Sequence, residues 1–207
     1  MLHLSAISTP ALELLKKLLS FNEFSELRLV GGTALALQTG HRKSIDLDLF
    51  GKVEMDKLPL AKLFEPFKTV EIIKKSGHIN IFEINGVKVD FVDYSYPWLQ
   101  DAVVIEGIRL AREKDIAAMK LAAITGRGTK KDFIDLYFLL RKYTLNEVVS
   151  FYNQKYFNAS TYLAIKSLTY FDDAEQDMEP DMIIDIEWEA VKIAITKKVM
   201  AYTEQYM

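Results

Sequence analysis

A chain of 207 residues with a formal net charge of -3, 50% of them hydrophobic and 27% charged, is large enough for one substantial core. That balance argues against a generally basic nucleic-acid binder and leaves room for a local basic patch. Cysteine is absent, which excludes disulfides and thiolate metal sites. No apolar run is long enough to span a membrane, and no charged segment followed by an apolar one opens the chain, so a cytoplasmic protein without membrane association is expected.

Residues 8–20 predict a helix with Thr9 as its cap, Pro10 in the first turn, and Leu12, Leu15 and Leu19 on one face. A buried strand over 27–30 leads into Gly31 and Gly32, read as a turn, and then into a short helix over 33–40. His41, Arg42, Lys43 and Ser44 form a basic turn. The next strand sends Asp46 and Asp48 to one face and Ile45, Leu47 and Leu49 to the other. Residues 56–67 predict a helix that turns Leu60, Leu63, Phe64 and Phe67 inward. Between 69 and 94 the hydrophobic period becomes two. One strand carries Val70 and Ile72, a second covers 79–84, and Asn85-Gly86 marks a hairpin turn. The return strand places Val87, Val89 and Phe91 on one face and Lys88, Asp90 and Val92 on the other. A short strand pair is expected over 103–110, around Glu106-Gly107.

Beyond residue 110 the chain becomes helical. A helix over 112–125 is expected to end at Gly126, and another over 131–143 to start from Thr129 and Asp132. Further helices are expected over 145–157, 160–170 and 186–205, with the acidic stretch 172–181 as a solvated loop. The change of character near residue 110 divides the chain into a core over 1–110 and a helical region over 111–207.

Two like charges two residues apart on a strand repel, so folding alone gives little reason for Asp46 and Asp48 to sit together. A hard cation removes the repulsion and prefers oxygen ligands, and Asp90 on another strand is the candidate third carboxylate. Three carboxylates on adjacent strands can hold one or two Mg²⁺ (or Mn²⁺) ions for an in-line phosphoryl displacement. Gly31 and Gly32 let a triphosphate come close to the backbone, and the helix that follows offers unpaired N–H groups and a positive dipole end. Thr33 caps that helix or bonds a phosphate oxygen. Lys88 shares the Asp90 face, where it meets a phosphate or forms a salt bridge to Asp90. Asp132 reads as a helix cap, and Lys131 as the partner that a buried Asp135 needs.

The order strand, Gly-Gly, helix, strand, Asp-x-Asp resembles the signature of the polymerase-β-like nucleotidyltransferase superfamily. The stretch GGTALALQTGHRKSIDLDLF is similar to its AbiEii/AbiGii toxin branch, which shares the Gly-x-Arg-x-Ser step through Arg42 and Ser44. A second match comprises Lys120-Leu121-x-Ala123, Arg127 and Lys131-Asp132-Phe133-x-Asp135-Leu136. The resemblance implies an α/β (α+β) fold, a polymerase-β-like core with a mixed sheet followed by a C-terminal helical region that packs on it and completes the active site. It implies metal ligation by Asp46, Asp48 and Asp90. Nucleotide contacts would come from Gly31, Gly32, Thr33, Arg42, Ser44, Lys120, Arg127 and Lys131, and catalytic roles would fall to Lys120 and Asp135. The substrate would be an NTP. The acceptor would be RNA, for which a tRNA 3′ end is one choice, and a cognate antitoxin would be a partner. A nucleotidyltransferase that places AMP on a partner protein and a non-catalytic binding module on the same fold are the alternatives.

Overall fold

The computed structural model describes residues 1–206. The chain forms two compact units, one of Met1–Tyr96 with Asp101–Ala111, the other of Pro97–Gln100 with the chain from Arg112 onward.

In the first unit, α1 (Thr9–Leu19) is capped by Ser8, whose extended backbone lets its hydroxyl accept from the Ala11 N–H at 3.4 Å. The expected cap, Thr9, is already in the helix. The buried face is Ala11, Leu14, Leu15, Leu18 and Leu19, with Leu12 only half-buried. The strands are β1 (Arg28–Leu29), β2 (Leu47–Gly51), β3 (Val70–Lys75), β4 (Ile79–Ile84), β5 (Val87–Asp93), β6 (Val103–Ile105) and β7 (Ile108–Leu110). They form one mixed sheet in the order β3-β4-β5-β2-β1-β7-β6. β2 runs parallel to β5 and β1 parallel to β7, while the other neighbours are antiparallel. The β4–β5 hairpin turns through Asn85 and Gly86 at φ of 51° and 78°, the left-handed pair that a type I′ turn demands.

Helix α2 (Gly31–Thr39) joins β1 to the loop before β2, with Thr33 to Leu37 buried. It begins two residues earlier than the sequence suggests, and Gly31 and Gly32 lie in its first turn. Helix α3 (Leu60–Phe64) is far shorter than the expected 56–67, because prolines bracket it. Pro59 is its N-cap, and Pro66, two residues past its end, has no N–H to donate to the Lys62 carbonyl and cannot extend the ladder, although Glu65 before it keeps helical backbone. Ile45, expected inward, is 71% exposed because β2 starts only at Leu47 and strand alternation does not reach it. Phe24, Phe64, Phe82 and Phe91 form the aromatic centre of the core, with Phe24 and Phe91 centroids 4.9 Å apart. Arg109 on β7 ties down the preceding turn by donating to the Leu19, Phe24 and Leu27 carbonyls at 3.1, 2.8 and 3.0 Å.

The second unit is helical: α4 (Glu113–Gly126), α5 (Lys130–Leu139), α6 (Leu145–Lys155), α7 (Thr161–Ser167), α8 (Asp172–Glu175) and α9 (Trp188–Tyr206). Gly126 is the last residue of α4 rather than its cap. Thr144 and Glu147 form a reciprocal capping box at the start of α6. Phe133, Phe171 and Trp188 cluster at centroid separations of 4.9 to 5.9 Å. The acidic stretch is not a plain loop. It contains α8, Asp177 accepts from the Lys130 N–H at 2.8 Å at the start of α5, and Glu179 pairs with Lys130 Nζ at 2.7 Å. These carboxylates complement the positive end of α5.

Asp115 and Lys155 are fully buried and 2.7 Å apart. Each is also satisfied by backbone. Asp115 accepts from the Leu99 and Gln100 N–H groups, and Lys155 donates to the Pro97 carbonyl and lies 4.4 Å from the Trp98 ring centre. This pair makes residues 97–100 part of the helical unit. No helix among the described residues is long and apolar enough to cross a membrane. Asp115→Ala strands a buried ammonium and is expected to lower stability by about 3–5 kcal/mol, read as a fall in the urea midpoint.

Candidate active site

The parallel ladder between β2 and β5 aligns Leu47 with Val89, Asp48 with Asp90 and Leu49 with Phe91. Leu47, Leu49, Val89 and Phe91 are fully buried. Asp48 and Asp90, which alternate with them, therefore leave the opposite face side by side and are half-buried. Asp46 precedes β2 and is outside the ladder. Its carbonyl accepts a short hydrogen bond from Thr33 Oγ1, which anchors this approach to α2.

Gly31 stands at the start of α2 with φ of 67°. A Cβ at that position would lie 2.3 Å from Asp48 Oδ2, so the carboxylate occupies the space a side chain would need. The first turn of the helix and one member of the carboxylate pair are thereby in direct apposition. Asp90 is met by Lys88, whose Nζ lies 3.0 and 3.2 Å from its two oxygens. Burial alone would lower the Lys88 pKa. The hydrogen bond to Asp90 and the charges of Asp90, Asp46 and Asp48 outweigh it and hold the ammonium above its ordinary value.

Carboxylate oxygens suit a hard cation, and Asp48 and Asp90, side by side, are the residues that could hold one. The arrangement is not a closed cage. Among the described residues no group of three or more His, Asp or Glu is arranged to hold a metal, and the Lys88 ammonium already engages Asp90.

The turn before β2 is more buried than a basic turn suggests. His41 and Arg42 are buried and only Lys43 is exposed. His41 Nδ1 lies 2.6 Å from Thr39 Oγ1, and Arg42 donates to the Lys43 carbonyl at 2.9 Å. Thr33 Oγ1 lies 2.8 Å from Ser44 Oγ, and the Ser44 N–H donates to the Ala6 carbonyl at 2.8 Å. Thr33, Arg42 and Ser44 thus brace the loop that delivers Asp46 and Asp48.

The second unit holds its own charge network. Lys120 Nζ on α4 bridges Asp132 at 2.8 Å and Asp135 at 2.6 Å, both fully buried on α5. Thr129 donates to Asp132 at 2.6 Å, and Arg127 Nε lies 3.2 Å from the same oxygen. Asp135 thus pairs with Lys120 across the helix pair, whereas Lys131, the expected partner, is exposed. Asp132 is more than a cap, since it ties Lys120, Arg127 and Thr129 together. Burial would raise its pKa, but the Lys120 and Arg127 charges and the hydrogen bonds from Lys120 and Thr129 hold it below the ordinary value. The motif match singles out Lys120 in the sequence but gives no sign that Asp132 and Asp135 are its partners.

The fold is that of known nucleotidyltransferases. A Helicobacter pylori protein described as a candidate nucleotidyltransferase superposes with a TM-score of 0.63 at 20% identity, covering 96% of each chain. MenT4, a nucleotidyltransferase toxin of Mycobacterium tuberculosis H37Rv, gives a TM-score of 0.61 at 15% identity, covering 89% of this chain and 81% of that one. The profile of the nucleotidyl transferase AbiEii toxin, of type IV toxin–antitoxin systems, matches residues 13–203. An uncharacterized protein of Aquifex aeolicus (strain VF5) is 37% identical over 198 residues, 93% of this chain and 95% of that protein. The chain belongs to the AbiEii nucleotidyl transferase toxin family.

Gly31→Ala combines a left-handed φ with the contact to Asp48 and is expected to destabilise by about 1–2 kcal/mol, measured by urea unfolding. Asp132 generates a pH prediction. Its native pKa is depressed, so its contribution is present above the ordinary carboxylate value of about 4 and is lost as pH falls through the native value. The stability gap between wild type and Asp132→Asn should therefore be constant near neutrality and close in acid, as followed by unfolding midpoints from pH 7 downward.

Proposed function

We propose that the protein moves a nucleoside monophosphate from an NTP to an acceptor hydroxyl on RNA, a tRNA 3′ end, with release of pyrophosphate and dependence on Mg²⁺ or Mn²⁺. The observation that carries this reading is the in-register Asp48–Asp90 pair set against the Gly31 turn that opens α2. A carboxylate pair for a cation beside a side-chain-free helix start for phosphate is what nucleotidyl transfer needs.

Asp46, Asp48 and Asp90 would hold the cation, which when bound supplies charge stabilisation to the attacking and leaving oxygens. Gly31 and Gly32 present no side chain to the triphosphate, and the unpaired N–H groups of the first turn of α2 favour its charge. Thr33, Arg42 and Ser44 keep this turn in place. Lys120, Arg127, Lys131 and Asp135 belong to the family motifs as well, but they lie in the helical unit, where Lys120 and Asp135 are buried and engaged with each other, and the proposed transfer rests on the first unit. The toxin class of the family supports a toxin with a cognate antitoxin as partner, and the cytoplasm, where NTP and RNA meet, is the proposed place of action.

The test is transfer of label from α-labelled NTPs to total RNA, with and without Mg²⁺. Label is expected in RNA only with the cation, and Asp48→Ala and Asp90→Ala should each lower it on the order of 10²-fold or more. Unchanged incorporation in both variants rejects the site. Label in protein instead of RNA assigns AMP transfer to a partner protein, and nucleotide binding without transfer to any acceptor assigns a binding module.

A further inference from the structure

We infer that Lys88 is a resident counter-ion of the carboxylate site, which a divalent cation must displace from Asp90 and which is then released to the triphosphate. The inference rests on the nucleotidyl-transfer reading above.

Asp48 and Asp90 are fixed opposite each other by backbone pairing, so their repulsion cannot relax by a strand shift without breaking the register. Lys88, two residues before Asp90 on β5, reaches both of its carboxylate oxygens, at 3.0 and 3.2 Å. A cation bound at Asp90 needs the same oxygen lone pairs. The two positive charges also repel, so the ammonium withdraws when the cation arrives. Withdrawal is easy for this side chain. Lys88 is 42% exposed on a flexible stem, whereas Lys120 is 7% exposed and bridges two buried carboxylates. Lys88 lies on the same face of β5 as Asp90, so the released ammonium stays on the side of the sheet that carries the carboxylates. Lys88 is in these terms a positioning residue that sets the affinity of the site for its cation.

The experiment is titration of the full-length protein with Mn²⁺, followed by electron paramagnetic resonance and without nucleotide. Wild type, Lys88→Gln, Lys88→Met and Lys88→Arg are compared after circular dichroism has shown the fold intact. Both neutral variants should bind Mn²⁺ about five- to tenfold more tightly than wild type, with Lys88→Arg near wild type. A non-hydrolysable NTP added with saturating Mn²⁺ should bind the neutral variants several-fold more weakly, the opposite sign. Equal or weaker Mn²⁺ binding by the neutral variants overturns displacement, and unchanged nucleotide affinity overturns release to the triphosphate. Wild type that binds no Mn²⁺ overturns the metal reading together with this one. Binding that Asp90→Asn abolishes and Lys88→Gln leaves unchanged overturns only the role of Lys88.

Discussion

The parallel pairing of β2 with β5 is the constraint on which the site depends. It sets two like charges, Asp48 and Asp90, side by side on one face while Leu47, Leu49, Val89 and Phe91 lock the other face into the core. A one-residue slip would bury the aspartates and expose the leucines, so the hydrophobic core enforces an electrostatically unfavourable contact. Such a contact is tolerable only with positive charge nearby. Lys88 supplies it from the same strand, and the Gly31 turn brings the positive end of α2 against Asp48.

The two units handle charge differently. Around Lys120 the carboxylates of Asp132 and Asp135 are fully buried, and their partners come from α4 and the α4–α5 turn. The Asp115–Lys155 pair is closed in the same way and holds residues 97–100 within the helical unit. Removing either partner of such a pair leaves a buried charge, which makes these networks rigid. The Lys88–Asp90 pair stays in contact with solvent, and its charges are screened and exchangeable. Rigid pairs suit a scaffold, and an exchangeable one suits a place where a ligand must enter.

Much of the architecture was legible because its signals are local. Period-two alternation marks β4 and β5, Asn85-Gly86 demands a type I′ turn, and the Leu-rich face of α1 follows from helical spacing. Misreadings occurred where a local rule met a competitor. Two prolines cut the predicted helix over 56–67 down to α3. Alternation was extended one step too far to Ile45, outside the strand. The acidic stretch is mostly exposed, as expected, but the ties of Asp177 and Glu179 to Lys130 span some fifty residues, and no window on the sequence connects them.

The sequence by itself determined that Asp48 and Asp90 leave faces opposite to their apolar neighbours, that a Gly-Gly step precedes the carboxylates, and that a helical region follows. Each is a property of a few adjacent residues, decided by side-chain alternation or by the absence of a Cβ. Only the tertiary structure decided that Asp48 faces Asp90, that Gly31 abuts Asp48, that Lys88 chooses Asp90, and that Asp135 pairs with Lys120 rather than Lys131. Those facts depend on strand register and helix packing, which bring together residues far apart in the chain. Packing of the whole core sets them, and no local spacing does.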